Sequence, residues 1–121
     1  MTAITGIEVH MNEHPRTYSR VTREALTMMG GLIRLARKQR KMSETDLAAR
    51  VGIARSTLQL IEKGHAKVEI GLVFEAATLV VVPLFVDEPS RLAPEISRIN
   101  DKLALLPQSV RRPRSEVKDD F

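Results

Sequence analysis

The apolar residues in the middle of the chain recur with the spacing of amphipathic α-helices. A first helix is predicted from about Arg20 to Arg40, capped by Ser19, with an apolar side made of Val21, Ala25, Met28, Met29, Leu32, Ile33 and Ala36. Gly30 and Gly31 interrupt this pattern, so either the helix breaks there or another backbone approaches it closely. A fourth helix is predicted from Ile70 to about Val80, with an inner side of Leu72, Val73, Ala76, Ala77 and Val80.

Two short helices joined by a tight turn are predicted between these longer ones. Ser43 and Asp46 form a near capping box, followed by the apolar positions Leu47, Ala48 and Val51, and Gly52 ends the helix. In VGIARSTLQLIEKG, residues 51–64, a rotation of about 100° per residue places Ala54, Leu58 and Ile61 on one buried stripe. Two short helices with a turn of about three residues between them predict a helix-turn-helix.

The last periodic segment runs from Pro89 to Leu106 and has a heptad spacing. Its apolar residues are four, three, four and three positions apart: Leu92, Ile96, Ile99, Leu103 and Leu106. This stripe either packs on the protein's own core or, as we favour, pairs with a second copy. The preceding VVVPLFV is expected to be a helix end followed by an extended segment, because Pro83 interrupts any strand.

We therefore predict an all-α fold, a bundle of about five helices. Residues 1–18 are expected to form an N-terminal arm, residues 19–86 the helix-turn-helix domain, and residues 87–107 an amphipathic helix for dimerisation or packing. Residues 108–121 are expected to form a charged tail that is disordered alone.

Composition excludes several classes of function. The chain has no cysteine, so it has neither disulfides nor thiolate metal sites, and no stretch has the roughly 18 apolar residues of a membrane helix. We expect a cytoplasmic protein, since no signal peptide is recognisable. His10 and His14 lie near Glu8 and Glu13, but Pro15 follows and the segment is not helix-like, so no metal site is expected. Without a paired nucleophile and base or a phosphate-binding loop, we expect no enzyme and no cofactor.

The basic residues are concentrated in the first third of the chain. The net charge is +4, yet residues 1–42 hold 8 Lys and Arg against 3 Asp and Glu, and most of these basic residues lie in RLARKQRK, residues 34–41. Such a run is commonly a solvated face. It is also suited to DNA phosphates, and we expect Arg34, Lys38 and Lys41 to make such contacts from one face of the first helix.

The outward side of the third helix carries groups that match base edges in the major groove. Gln59 can donate and accept together, which suits adenine, Arg55 suits guanine or a phosphate, and Leu60 suits a thymine methyl. The remaining candidates for DNA contact are Ser56, Thr57 and Lys63 on this helix, and Ser43 and Glu44, whose amides would face the DNA backbone. Double-stranded DNA is therefore the predicted partner, although a short helix with a mixed outer face can also be a plain protein scaffold.

Residues 28–86 resemble the XRE or lambda-repressor-like helix-turn-helix family. The likeness rests on the pattern LA-x-x-VGI-x-x-STL-x-x-IE-x-G, found at residues 47–64. It implies a sequence-specific repressor and a structural ion pair between Arg37 and Glu62. Two residues depart from the family. Ala54 stands where a capping Ser or Thr is frequent. Val81 stands where relatives often carry glycine, and valine adopts a left-handed cap poorly.

A further likeness involves IGLVFEAATLVVVPLF, DKLALLPQSVR and the ending KDDF, which resemble HipB-like antitoxins. Such proteins are often encoded beside a HipA-type Ser/Thr kinase toxin, repress their own operon as homodimers and bind the toxin. The tail from Arg111 to Phe121 is either an idle terminus or, as a separate hypothesis, a segment that docks on a partner with Phe121 as an apolar anchor. The alternatives are a stand-alone XRE-type regulator and a protein-interaction module without specific DNA binding.

Overall fold

The computed structural model describes residues 16–110, and every regular element in this range is helical. Five α-helices follow one another: α1 Arg20–Gln39, α2 Glu44–Val51, α3 Arg55–Glu62, α4 Ile70–Leu79 and α5 Leu92–Ala104, with a short 3₁₀ helix at Pro89–Arg91. The predicted all-α class is confirmed. Most of the N-terminal arm and the tail residues beyond Val110, including Phe121, lie outside the described residues. None of the helices described is long and apolar enough to cross a membrane.

Helices α1 to α4 form one compact unit that ends at Val82. Helix α2 packs on α3 and α4, and α1 packs mainly on α3. The largest fully buried side chains come from α1, α2, α3 and the residue that follows α4: Ile33, Leu47, Leu58 and Val80. Burial of a side chain of this size stabilises a fold by about 1.5–3 kcal/mol, so these four residues hold the bundle together.

Helix α1 continues without a break through its two glycines. A Cβ at Gly30 would lie 2.5 Å from the carbonyl oxygen of Ile61 and 2.7 Å from that of Glu62. The close approach of another backbone, the second of the two predicted alternatives, is therefore what the chain adopts. Gly31 has nothing within 4 Å of an added Cβ, although glycine in a helix costs about 1 kcal/mol relative to alanine.

The apolar side predicted for α1 is partly wrong. Ile33 and Ala36 are buried and Met29 is half-buried, whereas Val21, Met28 and Leu32 are 69%, 66% and 38% exposed and Ala25 is exposed as well. The reason is the contact at Gly30, which fixes the side of α1 that meets α3. At 100° per residue that side lies well away from Met28.

The ends of the helices follow the predicted capping chemistry. In α2 the Ser43 Oγ accepts the Asp46 N–H at 3.0 Å and the Ser43 N–H donates to the Asp46 Oδ2 at 3.3 Å, which completes the capping box. Gly52 ends α2 with φ 87°, in the left-handed region. Ala54 precedes α3 without a side-chain cap, and Ser19 caps α1 through a hydrogen bond of 3.3 Å.

Val81 adopts a left-handed backbone conformation, although valine disfavours it. Its φ is 63°, its N–H donates to the Thr78 carbonyl at 3.0 Å, and the Val82 N–H donates to the Ala77 carbonyl at 2.8 Å, which is a Schellman cap. Such a conformation costs a non-glycine residue about 1–3 kcal/mol. Val80 and Val82 are buried on either side of it, and their burial holds the strained residue in place. The segment turns instead of extending as expected.

Pro83 begins the second unit, which contains the 3₁₀ helix and α5. The sequence predicted a single helix from Pro89 to Leu106. The structure instead has the 3₁₀ helix followed by α5, and α5 ends at Ala104. The α5 stripe is exposed, with Ile96 at 55%, Ile99 at 56% and Leu103 at 59%. The heptad stripe of α5 therefore remains exposed within the second unit.

Candidate nucleic-acid interface

The crossing of α2 and α3 presents the outer face of α3. Leu47 of α2 and Leu58 of α3 are fully buried and fix the two helices against the core. The opposite face of α3 points away from the bundle. It includes the exposed residues Ser56 and Leu60 and the half-buried residues Thr57 and Gln59, while Arg55 is exposed on the flank and Lys63 directly after the helix. All six residues expected to contact DNA here thus have accessible surface.

One carboxylate joins the two polar residues of this face that suit base edges. The Glu44 Oε1 accepts a hydrogen bond from the Arg55 Nε at 2.9 Å and another from the Gln59 Nε2 at 2.9 Å. The Arg37 Nη2 lies 4.0 Å from the other carboxylate oxygen. Sequence reasoning assigned only the amide of Glu44 to the interface and missed this role of its side chain.

The hydrogen bonds to Glu44 also set its charge. Donation from Gln59 and then from Arg55, together with the positive charges of Arg55 and Arg37, lowers the pKa of the carboxyl below its ordinary value. Glu44 is therefore ionised at neutral pH. The amide of Gln59 has two N–H donors and a carbonyl acceptor, so one N–H and the Oε1 are left for an adenine edge. Arg55 likewise retains its terminal guanidinium N–H groups.

Arg37 and Glu62 form a buried, bidentate ion pair. The Arg37 Nε donates to the Glu62 Oε2 at 2.7 Å and its Nη2 donates to Oε1 at 3.0 Å, while Nη1 donates to the Met42 carbonyl at 2.8 Å. The hydrogen bond to Glu62 raises the pKa of Arg37 against the opposing effect of burial. The pair ties the last turn of α3 to α1, so Arg37 is occupied inside the protein.

A basic cleft lies beside this network at the end of α1. It has a volume of about 460 Å³, and its lining includes Arg34, Lys38, Ser43 and Thr45. Arg34 and Lys38 are one turn apart on α1 and are exposed. Lys41 was expected on the same helical face as Arg34 and Lys38, and this expectation was wrong. It lies beyond the end of α1 with φ 58°, because α1 stops at Gln39.

The N-terminus of α2 opens onto the same cleft. The capping box uses the amides of Ser43 and Asp46, and the amides of Glu44 and Thr45 lie between them in the first turn, at the positive end of the helix dipole. The Ser43 hydroxyl accepts from Asp46 and keeps its own hydrogen for donation. This is a suitable place for a phosphate oxygen.

Metal ligands do not come together in the part of the chain that the structure describes. No group of three or more His, Asp or Glu side chains there could hold an ion. His10 and His14 lie outside the described residues.

Residues 33–79, from the second half of α1 to the end of α4, match the family model described as Helix-turn-helix. This part of the chain is similar to helix-turn-helix domains, and its helices are consistent with a helix-turn-helix bundle. The match supports the XRE-type resemblance and a DNA-binding regulator. No curated protein matches the chain. No solved structure matches it either.

Proposed function

We propose that the protein is a sequence-specific transcriptional repressor that reads operator DNA with the outer face of α3. The observation that carries this function is the Glu44 network. It holds Gln59 and Arg55 side by side on an accessible helix face while leaving donors and acceptors on both. A helix about 10–12 Å across fits the major groove, where these groups can meet base edges.

Phosphate contacts would position α3 in the groove. Arg34 and Lys38 on α1 supply positive charge, and the amides at the start of α2 supply donors at the positive end of a helix dipole. Such contacts fix the register of the protein on the duplex without reading its sequence. Lys63 and Ser56 are exposed on α3 and can add to either class of contact.

A single recognition helix of eight residues reads only a half-site, so we propose that the repressor acts as a homodimer. Two half-sites would then lie about 34 Å apart along the duplex, one helical turn. The apolar stripe of α5, exposed at Ile96, Ile99 and Leu103 and half-buried at Leu92, is available for another protein chain, together with Leu106 just beyond the helix.

We further propose that this partner is a HipA-type Ser/Thr kinase toxin and that the protein is its antitoxin. The support is the sequence likeness at residues 70–85, 101–111 and 118–121, together with the exposed apolar stripe of α5. Deletion of residues 108–121 should weaken binding of a HipA-type kinase, measured by calorimetry. Unchanged affinity would exclude the tail as the docking segment.

DNase footprinting on the protein's own promoter, followed by gel shifts, tests the DNA-binding function. Arg55→Ala and Gln59→Ala should each lose about 1–3 kcal/mol on the protected site and much less on scrambled duplex. Arg98→Ala is the matched control. Like Arg55, Arg98 has 64% of its side chain exposed and pairs with a glutamate, but it lies on α5. Absence of a footprint, or equal losses on every sequence, would refute specific recognition.

A further inference from the structure

Helix α1 carries a second apolar stripe that the bundle does not cover. Its residues are Val21, Ala25, Met28, Leu32 and Leu35, spaced four, three, four and three, which is a heptad pattern. Val21, Met28 and Leu35 are 69%, 66% and 55% exposed. Five apolar side chains in heptad spacing on one accessible face are more than isolated surface residues.

The stripe is turned away from the surface proposed for DNA. At 100° per residue, Arg34 is rotated by about 100° from Leu35 around the axis of α1. A second chain on the stripe would therefore leave Arg34 accessible, whereas Lys38, about 60° from Leu35, lies at the border between the stripe and the cleft. The outer face of α3 belongs to another helix and would be accessible too.

We propose that this stripe is the interface at which two copies of the chain pair, with the two α1 helices antiparallel. The pairing goes beyond the proposed function, which needs two recognition helices but does not say what joins them. In the antiparallel register Ala25 of one copy meets Leu35 of the other, and Met28 meets Leu32. A twofold axis relates the two halves of this contact.

Charge supports this register and this direction. With the stripe at the core positions of the heptad, Glu24 and Lys38 occupy the flanking position that carries interhelical ion pairs. Antiparallel pairing in the register above places Glu24 of each copy opposite Lys38 of the other. Parallel pairing would place Glu24 opposite the apolar Met29 instead. The twofold axis repeats this Glu24–Lys38 pair, so two interhelical ion pairs favour the antiparallel dimer.

Gly31 provides an independent observation. It occupies the same flanking position midway between Glu24 and Lys38, so the two copies of Gly31 face each other across the twofold axis. Nothing in the described chain lies within 4 Å of a Cβ there, whereas Gly30 next to it is explained by the backbone of α3. A glycine at the centre of the contact lets two helices approach closely.

Sedimentation velocity on the full chain without DNA tests the interface. The wild type should be a dimer, and Met28→Glu should raise its dissociation constant at least 100-fold while leaving the helical circular dichroism unchanged. Ile99→Glu, which places the same charge on the equally accessible α5 stripe, is the matched control and should remain dimeric. A monomeric wild type, or dissociation caused by Ile99→Glu and not by Met28→Glu, would overturn the proposal.

Charge exchange tests the antiparallel register. Glu24→Lys and Lys38→Glu should each weaken the dimer about 10-fold, and the double variant should recover most of the loss. Gly31→Ala should weaken the dimer although alanine favours a helix, whereas Gly71→Ala should not, since Gly71 is a helical glycine that also has nothing within 4 Å. Failure of the double variant to recover would exclude this register.

The absence of cysteine allows a direct geometric test. Ala25→Cys and Leu35→Cys in one chain lie about 15 Å apart along α1, beyond the reach of an intramolecular disulfide. Mild oxidation of the double variant should give a covalent dimer, and neither single variant should. Cross-linking of the single variants would show parallel pairing and overturn the proposal. None of these measurements involves DNA, so their failure would leave the α3 interface standing.

Discussion

Replacement of Arg37 by methionine tests whether the ion pair to Glu62 holds the recognition helix on α1. The side chains of Arg37 and Glu62 are 6% and 4% exposed, and two hydrogen bonds of 2.7 and 3.0 Å join them. The third hydrogen bond of Arg37, to the carbonyl of Met42, holds the turn between α1 and α2. Arg37→Met removes all three and leaves the Glu62 carboxylate buried without its cation.

The expected loss is large relative to the stability of a small domain. Removal of one partner of a buried ion pair costs about 3–5 kcal/mol, because the other charge stays out of water. Native domains are stable by only about 5–15 kcal/mol, so Arg37→Met should unfold a measurable fraction of the protein at 37 °C. Arg34→Met is the matched control. Arg34 lies on the exposed side of α1, and its replacement should change stability by less than about 0.5 kcal/mol.

Urea unfolding followed by circular dichroism measures these free energies. The double variant Arg37→Met with Glu62→Leu removes both charges and should recover most of the loss, since apolar replacements of buried pairs are often neutral or stabilising by about 1–4 kcal/mol. A loss below about 1 kcal/mol for Arg37→Met would refute the structural role of the pair. A double variant as unstable as the single one would show that packing, not the uncompensated charge, is responsible.

Three further outcomes are expected. Val81→Gly relieves a left-handed valine and should stabilise the domain by about 1 kcal/mol, a rise in Tm of about 4–8 °C in calorimetry; a fall in Tm would contradict the strain. Lys38→Ala, assayed at concentrations that keep the protomers associated, should weaken binding to all duplexes alike and reduce the salt slope by about one unit, whereas a sequence-dependent loss would argue against a phosphate contact. The folded pKa of Glu44 lies below its ordinary 4.5, so its contribution to stability is present above pH 4.5 and is lost as pH falls through the folded pKa. NMR titration should show this lowered midpoint, and Gln59→Ala should move it upward; an unshifted midpoint would contradict the network.

Local chemistry made much of the fold predictable. The capping box at Ser43 and Asp46, the left-handed Gly52 and the uncapped start of α3 at Ala54 depend on residues only a few positions apart. The sequence left two explanations for the glycine at position 30, a break in the helix or the close approach of another backbone. The choice between them needed the position of α3, which lies about thirty residues further along the chain.

The side of α1 that faces the bundle could not be derived from periodicity. Two apolar stripes run along this helix, one through Ile33 and Ala36 and one through Met28 and Leu32, and both satisfy a helical spacing. Only the packing of α1 on α3 selects the first. At Val81 the local preference was deduced correctly, since valine disfavours the left-handed conformation. Packing overrides this preference, because the burial of Val80 and Val82 requires the turn.

The residues of the candidate interface could be predicted from the sequence, but the hydrogen bonds between them could not. The 100° rotation per residue places Gln59 on the outer side of α3 and Arg55 on its flank, and both residues have accessible surface in the structure. Their common partner Glu44 precedes them by 15 and 11 residues and belongs to another helix. No spacing rule joins these residues, because the contact depends on how α2 crosses α3.

The proposed DNA, dimer and toxin surfaces lie on three different helices, so a substitution in one surface leaves the side chains of the other two unchanged. If α1 supplies the dimer and α3 the DNA contact, the α5 stripe, for which the sequence pattern favoured pairing with a second copy, is left for the kinase. Ile99→Glu should then abolish kinase binding in calorimetry while the dimer and the operator footprint persist, and Met28→Glu should give the reverse pattern. Loss of dimer and kinase binding in the same variant would mean that one apolar surface serves both partners, and the separation of roles argued from the exposed stripes of α1 and α5 would be wrong.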